Sequence, residues 1–232
     1  MTDAVAADAR PCSACGAPMA GPFCAQCGQR VMRGRHTLRS MLGSALGRVL
    51  NLEGGLLATA GQLTVAPHRV IRDFIDGRTG PYTHPMGYLL VTFAIFALVG
   101  GLLDLTVQGA GSDNRVYTAL AVPFIALAAR VVFLRGRLNY AEHLIATMYL
   151  FGHVALLLAG LQLVVPLLGQ RAIEVLLIGA LIGAAAYFVW PYTRLFPRRP
   201  VLSALGALLA LCTGVLLWAL ALIVFVRLAQ SA

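Results

Sequence analysis

The chain has 232 residues, of which 59% are hydrophobic and only 12% charged, and its mean hydropathy is +0.80. Soluble domains carry about 45–50% apolar and about 25% charged residues, so this composition excludes an ordinary soluble enzyme domain. The formal charge of +9 rests on arginine alone, since no lysine is present; on so apolar a chain, basic charge reads as headgroup contact and orientation rather than nucleic-acid binding.

Residues 1–10 are polar and alanine-rich. They read as a disordered tail without the apolar stretch of a signal peptide. Residues 11–29 hold Cys12-Ser-Ala-Cys15 and Cys24-Ala-Gln-Cys27. Two C-x-x-C pairs this close can aim four thiolates at one Zn²⁺, with Gly16 and Gly28 easing the turns. A four-cysteine site leaves no open coordination position, so the expected zinc is structural and the ribbon is a platform for a cytosolic protein partner.

A basic connector follows (Arg30, Arg33, Arg35, His36, Arg39) and opens the region 30–85. Residues 37–50 space Leu38, Met41, Leu42, Ala45, Leu46, Val49 and Leu50 as one apolar helix face, too short and polar to span a bilayer. A second helix is expected over Glu53–Thr64. A third starts at Pro67 and is stopped by Gly77. All three are expected to lie on the cytosolic leaflet. Arg69, Arg72, Arg78, Tyr82 and His84 are candidates for meeting lipid phosphates, because guanidinium groups bind phosphate as a fork and interfacial tyrosine fixes depth. The alternative is a charged elbow that only orients the first span.

Residues 86–232 form the expected membrane domain. Apolar segments at 86–107, 116–134, 143–168, 172–191 and 201–226 each approach the ~20 residues needed to cross a core of ~30 Å. Pro123 and Pro166 are expected to kink their helices. With the N-terminus in the cytosol, the outside keeps only Arg115, Arg171 and Arg227, and every other arginine falls inside. That bias predicts a multi-pass protein of the cytoplasmic membrane with its C-terminus outside, and it places the cysteines where thiols bind metal rather than form disulfides.

Within the spans, His153 lies about ten residues in, about 15 Å deep, where an ionisable group is a functional candidate; a neutral imidazole bonded to a neighbouring helix is the alternative. Glu142 and His143 sit at the membrane surface, as a proton-linked pair or as a helix start. Gly179–Gly183 and the stripe Gly206, Ala210, Gly214 read as internal packing, with association of two copies as the alternative. Tyr187, Trp190 and Tyr192 read as an interfacial belt, and Cys212 as a small packed core residue.

The cysteine opening with Gly28-Gln29, the stretch Phe74-Ile75-Asp76-Gly77-Arg78 with Tyr82 and Pro85, and the run Asn139-Tyr140-Ala141-Glu142-His143-Leu144 together resemble the bacterial membrane-protein family called domain of unknown function 3667. The likeness covers most of residues 12–153. His68, Phe74 and Thr79 depart from its pattern, and Tyr149 and Phe151 stand where many members carry histidines. The resemblance implies a zinc ribbon followed by membrane helices, and no activity. The topology is also similar to that of Yip1-like membrane proteins.

The expected fold is therefore an all-α membrane protein with a short zinc ribbon and interfacial helices. No H-E-x-x-H, G-x-S-x-G, P-loop or acidic metal cluster is present, so no catalytic residue is nominated. The leading expectation is a non-catalytic scaffold or regulator. A transporter or lipid-handling protein is the alternative, and an intramembrane enzyme comes third.

Overall fold

The computed structural model describes residues 10–12, 15–19, 21–27, 35–38, 40–41, 55–106, 118–197 and 199–231. The expected tail, most of the expected helix over 37–50, Gly28, Arg30, Arg33 and Arg115 lie outside them. Two short strands, β1 (Arg10–Pro11) and β2 (Pro18–Met19), pair antiparallel with Arg10 opposite Met19. The rest is helical: α1 (Leu56–Val65), α2 (Pro67–Ile75), α3 (Pro85–Thr106), α4 (Ala121–Val132), α5 (Tyr140–Gln162), a 3₁₀ turn at Val165–Leu167, α6 (Gln170–Leu195) and α7 (Pro200–Ser231). This is the fold of an all-α membrane protein.

Among the described residues, four helices are long and apolar enough to cross a membrane, within α3, α5, α6 and α7. The segment expected as a second span contributes α4, whose 12 residues measure only about 18 Å. The helix directions still alternate. Tyr88 meets Tyr149 and His153, and Phe93 and Phe96 share a cavity of about 220 Å³ with Phe151, Ala155 and Leu158, so α3 and α5 run parallel. Gly214 faces Ile125 while Gly206 faces Phe133, so α4 and α7 run antiparallel. Parallel neighbours require the chain between them to return to the side it left, and α4 lies on that stretch of chain.

Proline roles differ from the expectation. Pro123 stands in the first turn of α4, where a missing N–H costs nothing and no kink follows. Pro166 lies in the 3₁₀ turn beyond the end of α5. The proline inside a helix is Pro191 of α6, and it is buried. Cys212 is also corrected: it is exposed. Ser203, Ala207, Ala210 and Gly214 form the buried stripe of α7, and a residue two positions from Ala210 and Gly214 points to the opposite side.

The two glycine stripes separate. A Cβ on Gly214 would lie 2.4 Å from Ile125 Cα, whereas Gly179 and Gly183 have nothing within 4 Å. Only the α7 stripe carries internal packing. Long apolar residues of α6 such as Val175, Leu181 and Ile182 are well exposed, as lipid-facing residues are.

α1 and α2 form a wedge beneath the start of α3. Pro67 opens α2 at its first position, and Gly77 follows it with φ 86°, a left-handed conformation that glycine adopts without strain. Leu63, Val70, Ile71 and Phe74 are buried in the main core. α1 carries no charge and reaches inward, because its Thr64 contacts His153. It packs on the bundle through Thr59 and Leu63, while Leu57 and Val65 stay exposed.

Candidate metal centre and the buried histidine network

The hairpin of β1 and β2 presents Cys12 and Cys15, and the following turn presents Cys24 and Cys27. Cys12 N–H donates to Ala17 O and Gly16 N–H to Cys12 O. Gly16, directly after the second cysteine of the first pair, has φ 75°, which turns the chain back toward β2. The sulfurs of Cys12 and Cys27 are 3.6 Å apart, as are those of Cys15 and Cys24, and all four lie within 4.8 Å of one another. A tetrahedron with metal–sulfur bonds of ~2.3 Å has sulfurs about 3.8 Å apart, so these four can hold one metal ion. Backbone hydrogen bonds from Cys27 and Gln26 lower the Cys24 thiol pKa and so favour the thiolate a metal needs. Cys12 and Cys24 are buried while Cys15 and Cys27 are exposed. Phe23, between the pairs, is 58% exposed.

The connector is clamped to the membrane body at α5. Asn139 caps α5 by accepting from Glu142 N–H, and Glu142 accepts from the Asn139 N–H at 2.8 Å. This capping box aims the Glu142 carboxylate at Arg35, whose Nε donates to Oε1 at 2.9 Å and whose Nη2 contacts Oε2. Arg35 also donates to Arg137 O. Asn139 Nδ2 donates to His36 O at 3.0 Å, and the His36 ring stacks on Phe74. Glu142 is 2% exposed, and the Glu142 pairing raises the Arg35 pKa.

Glu142 and His143 turn to different hydrogen-bond partners, because successive helix residues point about 100° apart. His143 lies among Phe133, Tyr192 and Phe196; its Nδ1 is 3.3 Å from Tyr192 Oη, and its Nε2 is buried without a partner.

His153 lies thirteen residues after Tyr140, about 20 Å along α5. Its Nδ1 is 2.9 Å from Tyr88 Oη and its Nε2 is 3.2 Å from Thr64 Oγ1. Thr64 donates its single hydroxyl hydrogen to Ala60 O, so it accepts from His153. The imidazole therefore carries its proton on Nε2, and Tyr88 O–H donates to Nδ1. Around this chain, Tyr187 O–H donates to Leu63 O, Tyr149 O–H to Thr83 O, and Thr83 N–H to Thr59 Oγ1. Hydroxyls from α1 and α3 thus meet one imidazole of α5, with the Tyr187 ring of α6 beside it.

The residues expected to meet phosphate are divided. Arg78 pairs with Asp73 at 3.2 Å, and Tyr82 O–H donates to the same carboxylate at 2.8 Å. Burial and that Asp73 bond push the Tyr82 pKa up to about 12. His84 is 7% exposed, edge-on to Phe74. Arg69 and Arg72 stay exposed. Of the expected belt, Trp190 faces outward while Tyr192 is buried and Tyr187 turns to Leu63.

Sequence reading did not find Arg35 as the partner of Glu142, nor Tyr88 and Thr64 as the partners of His153. The Asn139-x-x-Glu142 spacing is a capping signal, but nothing in a sequence says which of many arginines meets the carboxylate.

A family model described as "Protein of unknown function (DUF3667)" matches residues 53–97. That segment is the α1–α2 wedge with the first half of α3, and the match supports the family resemblance there. No curated protein and no solved structure matches the chain.

Proposed function

We propose that this chain is a non-catalytic scaffold or regulator of the bacterial cytoplasmic membrane, with a structural zinc ribbon on the cytosolic side that receives a protein partner. The observation that carries the reading is the four-thiolate cluster, with all four sulfurs within 4.8 Å. A saturated sulfur site suits zinc and leaves no position for a substrate or water. The Arg35–Glu142 clamp supports a ribbon whose position reports on the bundle. Five passes, N-terminus in and C-terminus out, fit both the arginine bias and the alternating helix directions.

The test places a photo-crosslinking residue at Ala17 in cells. A discrete cross-linked partner band is expected with the native ribbon. Replacing Cys24 and Cys27 with Ser should abolish that band while membrane insertion is retained. A band unchanged by the double substitution would remove the scaffold reading.

The His153 network favours a second reading, transport or lipid handling, because a deep histidine held by hydroxyls is an unusual investment for a scaffold. If His153→Leu abolished function in well-folded protein while the double cysteine variant still worked, that reading would replace the first.

A further inference from the structure

Where α2 meets the end of α6, cationic groups gather that neither the cysteine cluster nor the His153 network uses. His68, Arg69 and Arg72 share one side of α2, since residues three and four apart are neighbours on a helix. Arg194 lies in the last turn of α6. Arg72 Nη2 donates to Arg194 O at 3.1 Å, which ties the two helices together. The His68 ring is edge-on to Trp190, with centroids 6.3 Å apart.

The three arginines are exposed, and Trp190 is 37% exposed. Among the described residues none of the three forms an ion pair with a carboxylate; Asp73 is taken by Arg78 and Tyr82. His68 Nδ1 is buried and without a partner. Burial, then the charges of Arg194, Arg69 and Arg72, lower the His68 pKa, so all three guanidinium groups act on one imidazole. Orientation by charge needs arginines somewhere in the inner loops. It does not need them converging from two helices with no acid between them.

We propose that Arg69, Arg72 and Arg194, with His68 and Trp190 beside them, form a binding site for a phosphate group, supplied by a phospholipid headgroup or by free phosphate. Guanidinium forks match phosphate oxygens in pairs. Trp190 has the amphipathic ring that settles at headgroup level. The site differs from the one expected from sequence: it drops Arg78, Tyr82 and His84, and it gains His68, Trp190 and Arg194. It stands independently of the ribbon and its metal.

The test uses the full-length protein carrying Trp218→Phe, which leaves Trp190 as the single tryptophan. Its emission is followed in neutral detergent with added inorganic phosphate, and in nanodiscs of phosphatidylcholine with and without phosphatidic acid. Sodium chloride holds ionic strength constant. A saturable change is expected, weakened about tenfold by Arg69→Gln with Arg194→Gln and unaltered by Arg135→Gln, an exposed arginine elsewhere. That double variant spares the Arg72 tie, and gel filtration confirms its folding. Saturation in both arms identifies phosphate itself as sufficient; saturation only with phosphatidic acid identifies the lipid as the source. No saturation in either arm, or the same response from the double variant and Arg135→Gln, overturns the proposal.

Discussion

Glu142 serves two partners at once. Its carboxylate closes the first turn of α5 against the Asn139 N–H and holds the Arg35 guanidinium. A carboxylate there also faces the positive end of the helix dipole. Glu142→Gln keeps the shape but loses the charge, and should lower stability by about 1–2 kcal/mol, the worth of a charge-assisted bond whose other partner reaches water. Thermal unfolding in detergent measures it. Combined with Arg35→Gln, the loss should be smaller than the sum of the two single losses. At His153, Leu would strand the Tyr88 hydroxyl, which is fully buried. The expected cost is about 1–3 kcal/mol, partly recovered by adding Tyr88→Phe, which removes the orphaned group. A double variant as unstable as the sum of its singles would mean that the hydroxyl is satisfied elsewhere.

At the scale of elements, α4 and α7 pack backbone against backbone. Gly214→Ala places a methyl 2.4 Å from Ile125 Cα, a backbone atom that cannot swing aside. It should destabilise by about 1–3 kcal/mol, in the range of overpacked cores. Gly183→Ala, with open space around it, should stay within about 0.5 kcal/mol or gain slightly from helix propensity. Equal losses at both sites would show that α6 is also covered. The sequence already carried several of these elements: the bounds of α2 are written in Pro67 and Gly77, and the cysteine spacing told which four sulfurs meet. What it did not tell was depth and neighbour. In a soluble protein an apolar face means burial, but in a bilayer lipid and protein both accept it. Hence Cys212 read as core while facing outward, and two glycine stripes of similar pattern read alike although only one is packed. The same ambiguity holds for α1, whose Thr64 meets His153 while Leu57 and Val65 stay exposed.

Among the described residues α3 to α7 form a bundle, and Arg35 of the connector is held at the start of α5. Reporter fusions after Gln170 and Ala232 should report outside and one after Arg199 inside; an inside signal at Ala232 would remove the five-pass count. Metal removal should act locally. A chelator is expected to leave thermal unfolding of the bundle unchanged while speeding tryptic cleavage at Arg30 and Arg33, read on a gel. Bundle unfolding that moved with metal content would instead make the ribbon part of the fold's stability. The length of α7 has a further consequence. Its 32 residues run about 48 Å, against a hydrocarbon thickness of ~30 Å. Even a steep tilt of ~40° stretches the path only to about 39 Å. The remainder must emerge at Arg227 and beyond or thicken the surrounding bilayer. The protein should therefore sort with long-chain lipids, its unfolding temperature rising as acyl chains lengthen in a reconstituted series.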